Sequence, residues 1–351
     1  MAISNWNAGI IRPVPVAPTG QYQDSVASGV WTIQQAAYWK KQSLWPIAGN
    51  LSPTAYFAGG NISGPGRTNV IQYVSITSLG NTSDWGDLTT ARDEVAGCAS
   101  STRGIIAGGY NTGGNRQSSI EYITISTSGS SSSFGNLISA SNDPAGLSNS
   151  TRGVFAGGQN EAEGMTNVIS YITIATTGDA TDFGDLSSKR KAIMACASPT
   201  RGLFGGGFTQ VGGDQFGVIA IQYVTIATTG NALTFGDLSV TRRNNGSGLS
   251  SSTRGVFLGG STGDSPFTAG STIDYVTIAT TGNATDFGDL TQDSSSGAAS
   301  CSETRGLVSV SGTANVINYI TIATTGNGLD FGDLLNSPSD PAGFSNAHGG
   351  L

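Results

Sequence analysis

At 351 residues, with 52 Gly and only 11% charged side chains, the chain is long enough to bury a large core and too poor in charge to be disordered. A net charge of −7 excludes a reader of nucleic-acid phosphates, which needs a basic stripe. No apolar run reaches the length of a membrane-spanning helix, and residues 1–5 lack the basic-then-apolar opening of a signal peptide. The chain is therefore expected to be made in a cytoplasm and to engage neither nucleic acid nor membrane.

Residues 1–50 stand apart in composition. Four of the five Trp fall here (Trp6, Trp31, Trp39 and Trp45), together with Tyr38. Pro13, Pro15 and Pro18 keep the chain around them extended, because each restricts the residue before it. A short helix is expected near residues 32–43, capped by Thr32. This much aromatic surface is unfavourable in water. The arm is expected to dock on other protein chains, with Trp6, Trp31, Tyr38, Trp39 and Trp45 as anchors.

From residue 51 onward the sequence repeats. A Tyr is followed twelve residues later by an aromatic that opens a Gly-Asp/Asn-Leu: Tyr73/Trp85, Tyr122/Phe134, Tyr171/Phe183, Tyr223/Phe235, Tyr275/Phe287 and Tyr319/Phe331. Five Thr-Arg-Gly turns, at Arg103, Arg152, Arg201, Arg254 and Arg305, keep the same phase. Such a period marks a repeat architecture. Each unit reads as four short strands: small residues, then an apolar run ending in two Gly, then an alternating strand carrying the Tyr, then the aromatic-Gly-Asp-Leu strand. Four strands per unit make a propeller blade, and the small-residue strand belongs innermost, where six strands converge. The Tyr and Phe/Trp rings are expected between neighbouring units, each removing ~150–250 Å² from water. Cys98, Cys196 and Cys301 each precede a Thr-Arg-Gly, occupy similar places in different units, and read as small buried apolar residues rather than disulfide partners.

The first unit, beginning near Ala55, has no small-residue strand ahead of it. Residues 340–346 nearly copy residues 143–149, so the C-terminal segment is expected to supply the missing strand and close the ring. The Gly pair, the Tyr and the aromatic before a Leu resemble the kelch family. That resemblance implies an all-β, six-bladed β-propeller over residues 51–351. Departures are Phe in five of the six Trp positions and Val310-Ser311 in place of the last Gly pair.

Alternating turns separate two ends. One carries the near-uniform Arg-Gly and Thr-Thr-Gly-Asn turns. The other carries loops that vary in length, and binding concentrates on variable loops held by a rigid scaffold. Tyr110, Arg116, Phe208, Phe216 and Phe267 are the candidate ligand-binding residues, the aromatics as stacking surfaces for sugars. The turn arginines are expected to pair with neighbouring carboxylates (Asp87, Asp185, Asp237, Asp289 or Asp333), with an acidic partner as the alternative. The same aspartates recur too regularly to read as calcium ligands and fit turn hydrogen bonds better.

No catalytic residue, cofactor or metal is expected. His348 is the only imidazole, and no His/Cys/carboxylate cluster has metal-ligand spacing. Asp182-Phe183-Gly184 matches only the core of a sialidase Asp box. Residues 29–35 with Tyr38-Trp39 and Leu44-Trp45-Pro46, combined with residues 278–290, are similar to repeat proteins of tailed phages infecting marine cyanobacteria. The resemblance implies a virion protein that is oligomeric in the particle and joined to other virion proteins through residues 1–50. Its propeller would either bind a host-surface glycan or protein, or serve a purely architectural role; a glycan-degrading enzyme ranks below both.

Overall fold

The computed structural model describes residues 52–351, apart from 65, 163, 213, 244–245, 263–267 and 311–314, and, of the earlier chain, the paired strands Asn5–Trp6 and Gly9–Ile10. Contacts divide the chain into Met1–Ser52 and Pro53–Leu351. The helix expected near 32–43 lies outside the described residues, as do Trp31, Tyr38, Trp39 and Trp45.

The described chain is all-β. Residues 53–351 form six antiparallel sheets of four or five strands, with small two- and three-stranded sheets between them. The second sheet sets the pattern, with Ala96–Ala99, Arg103–Ala107, Ser119–Thr124 and Ser132–Asn136 side by side in chain order. β-Branched residues alternate along the Tyr-bearing strand, and a bulge precedes the Tyr in each sheet.

Small residues line the first strands because these strands crowd one another. Ala96–Ala99 lies beside Ala145–Ser148, and the series continues through Met194–Ala197, Ser247–Ser250, Ala299–Cys301 and Ala342–Ser345 back to Ala96–Ala99. A Cβ on Gly97 would lie 2.7 Å from the Gly343 carbonyl oxygen, and one on Gly146 2.7 Å from that of Gly97. Serines join neighbours here: Ser148 Oγ donates to the Ala99 carbonyl at 2.8 Å, and Ser250 Oγ to that of Ala197 at 2.7 Å. Ala342–Ser345 pairs with Thr54–Ala58, so the C-terminal segment supplies the strand that the first unit lacks.

Each apolar cluster is shared by two consecutive sheets. Phe134 packs with Ile105 and Ile120 of its own sheet and with Phe155, Ile172 and Ile174 of the next. Phe331 of the last sheet packs with Phe57, Val74 and Ile76 of the first. In every unit the Tyr meets its aromatic partner edge-on, at 5.1–6.1 Å between centroids. Cys98 and Cys196 share a register position, opposite Ile105 and Leu203. Cys301 sits one residue further along the corresponding strand, opposite Gly306. All three are buried and free.

Candidate binding face

The two ends of the sheets are built differently. At the turn end, one unit's Thr-Thr-Gly-Asn turn is bonded to the preceding unit. Gly178 N donates to Phe134 O at 2.8 Å, Gly230 N to Phe183 O at 2.7 Å, and Gly80 N back to Phe331 O at 3.0 Å. The turn Asn side chain then accepts from the Gly-Asp-Leu aspartate's backbone: Asp185 N donates to Asn231 Oδ1, Asp237 N to Asn283 Oδ1 and Asp333 N to Asn81 Oδ1, each at 3.0 Å. The repeated motif is thus a joint between units.

The turn arginines complete that joint, and here the expected carboxylate pairing is replaced by another arrangement. Arg152 lies over the Tyr171 ring at 4.5 Å and donates to the Ile226 and Ala227 carbonyls of the next unit, both at 2.9 Å. Arg103, Arg201, Arg254 and Arg305 repeat the stack on Tyr122, Tyr223, Tyr275 and Tyr319. Arg305 donates to Ile76 O of the first unit at 3.0 Å. The stack satisfies the guanidinium without a carboxylate, since a cation over an aromatic face is attracted by the ring quadrupole.

The loop end carries a mixed polar surface around a mouth. Glu94, Asp143, Ala192 and Asp340, each two residues before a first strand, hold left-handed backbone with φ between 52° and 55°. This conformation is uncommon outside Gly and costs on the order of 1 kcal/mol or more per residue. A relay of backbone bonds holds it in place: Asp340 N donates to Ser296 O at 2.9 Å, Glu94 N to Asp340 O and Asp143 N to Glu94 O at 3.0 Å, and Ala192 N to Asp143 O at 3.3 Å. These residues rim a cavity of about 100 Å³ whose walls are otherwise mostly Gly and Ala of the first strands. Asn142 Nδ2 donates to Glu94 Oε2 at 2.5 Å, and Lys191 Nζ lies 2.8 Å from Asp143 Oδ2. Burial, and then the Asp143 carboxylate, raise the Glu94 carboxyl above its ordinary value.

The candidate aromatics fare unequally. Tyr110 is clamped between Arg67 and Arg116, with their guanidinium carbons 5.3 and 5.0 Å from its ring centroid. Arg116 is itself bonded to Asn142 at 2.6 Å and paired with Glu161 at 2.7 Å. Phe208 is only 5% exposed, packed on Met165 and Ala192 and covered by Lys191 and Arg243, so its ring is no open stacking surface. Phe216 is 44% exposed, on the long strand Asp214–Thr225. Phe267 lies outside the described residues, and Trp6 lies on Asn5–Trp6. The acidic mouth was missed in the sequence reading, although Glu94, Asp143 and Asp340 stand at one offset before the small-residue strands.

Three buried arginines also escaped notice. Arg92, Arg190 and Arg242 follow the Gly-Asp-Leu of their units and reach into the next sheet. Arg92 pairs with Glu121 at 2.9 Å and Arg242 with Asp274 at 2.8 Å, whereas Arg190 meets no carboxylate and donates to Gln222 Oε1 at 2.8 Å and to the Gly206 and Ala220 carbonyls at 3.1 and 3.3 Å.

Fold and site together define an all-β repeat protein with one end locked and the other varied. Compared with models of known protein families and with curated proteins, the chain matches none.

Proposed function

We propose that residues 51–351 are a six-bladed, kelch-like β-propeller, and that the chain is a non-enzymatic structural protein of a phage particle. Residues 1–50 attach it to other virion proteins, and the loop end faces outward to a host-surface glycan or protein. The propeller reading is supported by the cyclic order of the first strands and by the return of the last sheet onto the first. The observation that carries the binding reading is the contrast between the ends. Uniform turns are consumed by bonds between units, while the other end offers a rimmed cavity, a mixed-charge surface and an exposed Phe216. The virion assignment is supported by the resemblance of residues 29–46 and 278–290 to tailed-phage proteins.

The non-enzymatic reading is supported by the state of the thiols. Burial pushes the Cys98 thiol up to about 12 and the Cys301 thiol up to about 11, far from a reactive thiolate. His348, the sole imidazole, lies half-buried at the far end of the axis from the mouth.

The test is a glycan array and a host-cell adsorption assay with the full-length protein, beside Phe216→Ala and Glu94→Gln. Binding that weakens tenfold or more in either variant supports attachment through this face. Binding untouched by both moves the site elsewhere, and silence across a broad panel favours the architectural role.

A further inference from the structure

The turn end of the axis is occupied by the chain itself. Residues 347–351 fold over a cavity of about 60 Å³ lined by Cys98, Cys196, Cys301, Leu147, Leu249 and Phe344. Gly349 N donates to Ser250 O at 3.1 Å, and Leu351 N to His348 O at 3.1 Å. Gly349 and Gly350 lie so close to the Ser251 and Ser148 backbones that neither position has room for a Cβ.

His348 is the centre of this plug. Gly350 N donates to its Nδ1 at 3.1 Å, so Nδ1 carries no hydrogen and the ring proton sits on Nε2. Nε2 then donates to the Ala99 carbonyl at 2.8 Å, with Ser148 Oγ at 3.2 Å. A second ring proton would have to go on Nδ1, facing the Gly350 N–H, and would expel it.

The Ala99 carbonyl favours a charged ring, but burial outweighs that bond, and among the described residues no charged side chain lines the cavity to offset a positive charge. The first strands packed beneath it contribute the thiols of Cys98, Cys196 and Cys301, kept neutral by burial, and the hydroxyls of Ser148, Ser250, Ser300 and Ser345. No Asp, Glu, Lys or Arg lines that cavity among the described residues. In the adjoining turns, the Glu303 carboxylate is held by the Ser252 N–H and hydroxyl, and the turn guanidiniums lie over their tyrosines.

We propose that residues 347–351 are an acid-released plug, held over the axis by a neutral His348 and let go when the imbalance of donors at Nδ1 appears on protonation. Burial lowers the affinity of the ring for a proton below its ordinary value of 6.5. The closed tail is therefore fully favoured above that value and is lost as pH falls toward the depressed one. If the ring in place stays neutral throughout, the closed-to-open ratio falls by up to about thirty-fold between pH 7.5 and pH 5.

Hydrogen exchange of the Gly349 and Leu351 amides, corrected for intrinsic pH effects, reads this ratio in the intact protein. Protection should fall at least several-fold at pH 5 in the wild type and stay level in His348→Gln, which cannot become charged. Equal protection at both pH values in the wild type, or the same loss in the variant, overturns the proposal. Because His348 is the only histidine, its ring can also be titrated by NMR without substitution. A midpoint at or above 6.5 with the tail still protected overturns it equally.

Discussion

At the scale of single residues, the joints between units rest on guanidiniums that lack the partners charge alone would suggest. Arg152 stacks on Tyr171 and forks onto two carbonyls, while Asp185 uses its backbone N–H on Asn231. A Lys ammonium cannot stack and fork together, so Arg152→Lys should cost about 1–2 kcal/mol in denaturant unfolding. Asp185→Asn should stay within ~0.5 kcal/mol. The reverse order of costs would restore the carboxylate pairing. That pairing was the natural expectation because charge is visible in a sequence, whereas an Arg–Tyr stack depends on strand register. Arg190 is the converse case. It occupies the same kind of site as Arg92 and Arg242 but faces Gln222 where they face Glu121 and Asp274. Burial without a counter-ion lowers its guanidinium to about 10. Gln222→Glu should raise stability by about 1–2 kcal/mol, read as a melting temperature a few degrees higher. An unchanged or lower melt would show that Arg190 is already compensated. A signal for these sites was present in the sequence, since an acceptor precedes the Tyr of each unit that follows such an Arg.

At the scale of elements, the glycine of each aromatic-Gly-Asp-Leu strand is fixed by its neighbour. The carbonyl of Gly282 occupies the place where a Cβ on Gly236 would go, whereas a Cβ on Gly282 would meet nothing within 4 Å. Gly236→Ala should therefore cost several kcal/mol, as overpacking against backbone does. Gly282→Ala, with open space and a backbone outside the left-handed region, should stay near neutral. Thermal melts of the two variants give the comparison, and similar losses in both would mean that the turn needs glycine for another reason. Strand order and the apolar faces were legible because the alternation and the Gly-rich turns recur in six copies. The loops were not. Phe208 read as an open loop aromatic, yet it begins a strand, Phe208–Val211, that folds back on Asp214–Thr225 and tucks the ring inward. A hairpin recurs at this place, as in Asn61–Ile62 with Gly66–Arg67 and Gln159–Asn160 with Gly164–Met165, but its length and residues change from unit to unit and so leave no sequence pattern.

At the scale of the whole molecule, large and small residues alternate around the axis at one first-strand register: Phe344, Cys98, Leu147, Cys196, Leu249, Ser300. Phe344 reaches Gly104, Leu147 reaches Gly202 and Leu249 reaches Gly306, all in the following unit. Such alternation closes without conflict only for an even number of units, so the C-terminal strand is a specific member of the cycle and not a generic edge cover. Its place was legible because residues 340–346 repeat residues 143–149; the plug beyond it was not, since residues 347–351 have no counterpart in the other units. Deleting residues 341–351 removes the stack of Phe344 on Tyr56 at 5.3 Å, leaves Gly104 facing a void and strips Thr54–Ala58 of a partner. Loss of a buried Phe side chain alone costs ~3–5 kcal/mol, which for a domain somewhat smaller than this corresponds to about ten degrees of melting temperature. The deletion should lower the melt by at least that much and raise binding of a hydrophobic dye. Deleting only 347–351 removes the plug but leaves every sheet intact, so its loss should be a fraction of the first. A longer deletion that melts like the shorter one would mean that Ala342–Ser345 does not hold the first and last units together.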